Sequence, residues 1–82
     1  MQHQPTPTLA EQDKITDAGI LGLLIHRDNQ RPRSVEEIER EIGDPVAVAD
    51  SLSRLYGGGL IHRLDDFVWA TRAALMANAI RM

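Results

Sequence analysis

In the segment PVAVADSLSRLY, residues 45–56, one cation stands among the side chains: Arg54, with Ser51 one turn before it. A guanidinium presents paired N–H groups that match the edge of a guanine, and a hydroxyl can donate to a base or a phosphate. Asp50, four residues before Arg54, offers a competing chemistry, an i,i+4 ion pair on a helix surface worth about 0.2–0.5 kcal/mol. Ala47 can add only a methyl contact. Arg27, Arg31 and Arg33 form the most basic run in the chain. Together with Arg63 and the hydroxyl of Ser34 they have the charge and donors to hold phosphates. The plain alternative for that run is a solvated loop.

Other chemistries find little here. There is no cysteine, so disulfides and thiolate metal sites are ruled out and a reducing compartment is the natural expectation. The histidines, His3, His26 and His62, lie far apart and lack metal-ligand spacing, so no metal is expected. No nucleophile, base and orienting group come together, and the GGG of residues 57–59 follows a helical pattern instead of a strand. The expectation is a non-enzyme without cofactor. Net charge is −3, unevenly spread: residues 34–71 hold three arginines against eight carboxylates. Ser51 and Arg54 therefore sit in the most acidic part of the chain.

These side chains need elements to position them. Residues 1–8 read as a disordered tail, with no signal-peptide pattern and Thr8 at its end. TLAE, residues 8–11, has capping-box spacing and opens a first helix over about 9–27. Its AGILGLLI run, residues 18–25, is too short to span a bilayer, so a soluble, cytoplasmic protein is expected. Pro32 favours an extended Arg31 and a short strand. SVEE, residues 34–37, is a second capping box, and Val35, Ile38 and Ile42 mark a helix over 35–42 whose glutamates face water. Gly43 ends it, and Asp44-Pro45 caps and starts a third helix over 45–56, with Val48, Leu52 and Leu55 buried. A wing over 60–71 reads as a hairpin around Asp65-Asp66, pairing Leu64 with Phe67, Arg63 with Val68, His62 with Trp69 and Ile61 with Ala70. Thr71 caps a last helix over 72–82.

The order α-β-α-α-β-β-α gives a mainly α domain, residues 9–82, with a small antiparallel hairpin. It resembles the winged helix-turn-helix domains of small prokaryotic transcription regulators, on the strength of ILGLL, SVEEIEREIG, the Val48, Leu52 and Leu55 spacing, and GGLIHR. That resemblance implies a regulator of transcription that binds double-stranded DNA. Ala47, Ser51 and Arg54 would then be base contacts, and Arg31, Arg33, Ser34 and Arg63 phosphate contacts. The apolar excess of the first and last helices fits packing within one chain. It also fits a homodimer through Ile20, Leu23, Leu24, Leu75, Met76 and Ile80, the kind of interface the resemblance favours. Asp50, Asp65 and Asp66 support a rival from another class, a winged helix that binds no DNA and engages a basic protein partner through its acidic third helix and wing.

Overall fold

The computed structural model describes residues 8–26 and 31–80, and the side chain of Ile80 lies outside this description. Residues 1–7, Arg27 and the last two residues therefore fall outside it as well. The described residues form helices α1 (Leu9–Ile25), α2 (Val35–Ile42), α3 (Pro45–Gly57) and α4 (Arg72–Ile80) and strands β1 (Arg33–Ser34), β2 (Ile61–Leu64) and β3 (Phe67–Ala70), in the order α1-β1-α2-α3-β2-β3-α4. The strands form one antiparallel sheet in the order β1-β3-β2.

The helix boundaries follow local chemistry. Glu11 N–H donates to the Thr8 hydroxyl at 3.2 Å, and that hydroxyl donates to the Glu11 carboxylate at 3.1 Å. Glu37 N–H donates to Ser34 Oγ at 3.1 Å, and Ala47 N–H donates to Asp44 Oδ1 at 3.1 Å, with Pro45 at the first turn. Each cap gives a partner to an amide that the helix start would otherwise leave unpaired. Gly43 closes α2 in the left-handed region at φ 85° and donates to Glu39 O. Helix α1 stops at Ile25, two residues before the expected end, because His26 has already turned to ψ 131°.

The hairpin has the register expected from a two-residue loop, Leu64 opposite Phe67 through Ile61 opposite Ala70. Asp65 takes the left-handed turn position at φ 55°, a conformation that aspartate tolerates better than most residues. Strand β1 adds to the free side of β3, with Arg33 opposite Val68 and Ser34 opposite Phe67. A backbone bond from Val35 N–H to Asp66 O at 2.8 Å then fixes the start of α2 to the turn. Thr71 closes the other end, donating through its hydroxyl to Gly59 O at 2.8 Å and through its amide to Leu60 O at 3.0 Å.

The core gathers Ile20 and Leu24 of α1, Ile38 of α2, Val48, Leu52 and Leu55 of α3, and Ile61 and Val68 of the sheet. Burying each large aliphatic side chain contributes about 1.5–3 kcal/mol before conformational entropy is charged against it. The hairpin thus turns Ile61, Val68 and Ala70 inward and leaves His62, Leu64 and Phe67 exposed.

Two glycines separate backbone strain from helix propensity. Gly43 needs its positive φ, so Gly43→Ala is expected to lower stability by about 1–2 kcal/mol. Gly22 lies inside α1, and an added Cβ would meet nothing within 4 Å. Gly22→Ala should raise stability by about 0.5–1 kcal/mol. Urea unfolding of both variants checks the opposite signs.

Candidate functional site

The stripe that α3 buries is Val48, Ser51, Leu52 and Leu55, one face at 3.6-residue spacing. Ser51 is fully buried in it. On α1, Asp17 precedes Ile20 by three residues and Leu24 by seven, which places it on the face that meets α3. The two come together there: Ser51 Oγ donates to Asp17 Oδ1. Arg54 adds a two-point contact to the same carboxylate, Nε to Oδ2 at 3.0 Å and Nη2 to Oδ1 at 2.8 Å. Asp13 Oδ1, one turn earlier on α1, lies 3.7 Å from Arg54 Nη2.

This geometry sets the electrostatics. Hydrogen bonding from Arg54 holds the Asp17 carboxyl below its ordinary value of 3.8, outweighing the opposing effect of burial, and the Ser51 bond adds to the lowering. The Arg54 guanidinium is raised in turn, chiefly by its hydrogen bonds to Asp17.

The expected base contacts change accordingly. Ser51 does not stand on the exposed face of α3, because its spacing puts it in the buried stripe, where Asp17 takes its hydroxyl. Arg54 does not pair with Asp50; its bidentate partner is Asp17, and Asp50 acts on it only through its field. Ala47 remains half-buried at the surface between exposed Val46 and Asp50, with no side-chain donor.

The expected phosphate contacts are also engaged. Arg33 is largely buried, and its Nη1 reaches Glu37 Oε2 at 3.0 Å. Arg31 Nη2 lies 3.4 Å from the same oxygen, so one carboxylate serves two arginines. Ser34 is occupied as the cap of α2. Glu37, expected on the wet face, is instead the counter-ion of this corner, a role its capping position prepares. The Nε of Arg33 is buried without a partner among the described residues. Arg63 is exposed and makes no ion pair among the described residues.

Of the expected dimer contacts, Ile20 and Leu24 belong to the chain's own core, being 0% and 1% exposed. They are spent on α2, α3 and the sheet and cannot also face a second copy. Leu23 and Leu75 are half-buried, Met76 is exposed, and the Ile80 side chain lies outside the described residues. His62 and Trp69 form the expected cross-strand pair, ring centroids 5.5 Å apart.

What the surface offers instead is a pair of acid-lined grooves. One, of about 450 Å³, opens where the α1–α3 seam runs past Asp17 toward the helix starts. Leu9, Ile15 and Val46 give it apolar walls, and Asp13, Asp44 and Asp50 its charge, with no basic residue in the lining. The other, of about 590 Å³, lies between α2 and the hairpin turn, among Val35, Glu36, Glu39, Asp66 and Phe67. Among the described residues no group of three or more acidic or histidine side chains is arranged to hold a metal ion. No described helix is long and apolar enough to cross a membrane.

Comparison with known proteins found no match to this chain, whether a family model, a curated protein or a solved structure.

Asp17→Ala leaves the buried Ser51 hydroxyl without its acceptor, and a loss of about 1–3 kcal/mol is expected at neutral pH. Because the folded-state pKa of Asp17 is lowered, its contribution is complete above the ordinary carboxyl value and is lost as pH falls through the lowered one. Urea midpoints recorded from neutral to acid pH should therefore fall less steeply for Asp17→Asn than for the wild type.

Proposed function

We propose that this domain is a protein-interaction module of winged-helix-like shape, working in the cytoplasm and engaging a basic partner surface through the acidic side of α3 and the hairpin turn. One observation carries the proposal: Asp17 occupies both Ser51 and Arg54, the two α3 donors expected at base edges. At its start α3 then offers Val46 and Asp50, with Ala47 half-buried between them; these donate no side-chain hydrogen bond to a base edge, and Asp50 places a negative charge where phosphates would pass. Asp65 and Asp66 extend the same sign to the tip of the hairpin. The shared hold of Glu37 on Arg31 and Arg33 offsets one of the two charges there that would position a duplex.

The alternative, a DNA-binding transcription regulator, is favoured by the order of elements and by Arg63, exposed and unpaired among the described residues on the hairpin. It requires Arg54 to leave a bidentate carboxylate and Asp50 to approach phosphate.

An amide-resolved NMR titration with mixed-sequence duplex DNA at low salt separates the two. The interaction module gives no shifts at Val46, Ala47 or Arg54. Saturable, salt-sensitive shifts at Arg54 and Arg63 would establish the regulator in its place.

A further inference from the structure

We infer that the groove between the starts of α1 and α3 receives an amphipathic helix from a partner protein, with apolar side chains on Leu9, Ile15 and Val46 and lysines or arginines over the surrounding carboxylates. The inference rests on reading the domain as an interaction module and names the class of partner that this surface takes.

The chemistry of the lining selects the occupant. Leu9 is 79% exposed, Ile15 64% and Val46 72%, three large apolar side chains left wet on facing elements. Covering them returns the apolar surface that the fold leaves in water. The charged residues of the lining are all acidic. Asp50 has no ion-pair partner among the described residues, Asp44 is engaged only as the cap of α3, and Asp13 lies beside an Arg54 already shared with Asp17. An apolar floor under a carboxylate rim is complementary to a helix with an apolar stripe flanked by cations.

The backbone argues for a helix over other ligands. Gln12 N–H is bonded to Thr8 O, Val48 N–H to Asp44 O, and the Glu11 and Ala47 amides are taken by the side chains of Thr8 and Asp44. These bonded amides offer an extended strand no ladder, and an anion would meet the carboxylates of Asp13, Asp44 and Asp50. A helix satisfies its own backbone and needs only the side-chain surface present here. A second copy of this chain is a poor occupant. Helix α2 presents glutamates at four of its eight positions, and α4 carries Arg72 as its single charge.

The test uses the full chain, isotopically labelled, and a synthetic peptide of about 18 residues, long enough to form a helix, with leucines on one face and lysines on the other. A peptide of the same composition in scrambled order is the control. Shifts are expected at Leu9, Ile15, Val46, Ala47 and Asp50 with the helical peptide and not with the scrambled one. Val46→Ser should weaken binding roughly tenfold and Asp50→Lys roughly fivefold. Glu36→Lys, in the other acidic groove, should leave it unchanged. Val46 and Asp50 are both exposed, so these variants are expected to stay folded.

Equal binding of the scrambled peptide would overturn helix recognition. Shifts centred on Glu36, Asp66 and Phe67, abolished by Glu36→Lys, would overturn the assignment to this groove, and in both cases the interaction-module reading would survive. Intermolecular contacts from Val46 to α4 in the peptide-free protein would make a second copy the occupant and overturn the inference. Absence of binding by either basic peptide would overturn the inference and the interaction-module reading together.

Discussion

The carboxylate of Asp17 is the constraint on which the surface of this domain turns. It sits where α1 meets α3, beside the apolar core to which Ile20, Leu24 and Val48 belong, and it accepts from Ser51 and Arg54 at once. A hydroxyl buried without a partner costs about 1–3 kcal/mol, and the Asp17 carboxyl spares Ser51 that cost. The same charge draws Arg54 down onto the seam. One side chain of α1 thereby decides which groups α3 shows to a partner.

The second corner is organised in the same manner. Glu37 gives its amide to the Ser34 cap and its carboxylate to Arg31 and Arg33. The ordering of α2, the short strand β1 and the basic run are therefore linked through one residue. Strand β1 also pairs with β3, and Val35 bonds the hairpin turn, so the wing is held against the start of α2 as well as above the core. In both corners an acidic side chain absorbs arginines that would otherwise project outward. What α3 leaves exposed at its start, Val46 and Asp50, is apolar or negative.

Local signals made the skeleton legible. The capping boxes at Thr8 and Ser34, the Gly43 stop and the Asp44-Pro45 start act within one helical turn, so sequence alone located α2 and the start of α3. The two-residue loop at Asp65-Asp66 determined the hairpin register. Which arginine meets which carboxylate was not legible in the same way. Asp50 is the local candidate for Arg54, whereas the true partner is 37 residues away and becomes available only once α1 lies across α3. A signal did exist. Ser51 falls between Val48 and Leu55 at core spacing, and Asp17 falls in line with Ile20 and Leu24, so each is a polar residue in an apolar stripe, and together they suggest a buried pair. Ile20 and Leu24 were read as dimer contacts instead of core for a related reason. The apolar excess of α1 is largely consumed by three elements of the same chain, α2, α3 and β3, which sequence periodicity cannot apportion.

The most direct test of this account is the hydrogen exchange of the arginine Nε–H groups, observed by nitrogen-detected NMR in mildly acidic, low-salt buffer. If Asp17 holds Arg54 through its Nε, that proton should exchange more slowly than those of Arg40 and Arg63, and the protection should vanish in Asp17→Asn. An Arg54 Nε–H that exchanges as fast as that of Arg63, unaffected by Asp17→Asn, would contradict the account, because Arg54 would then be free to meet a nucleic acid.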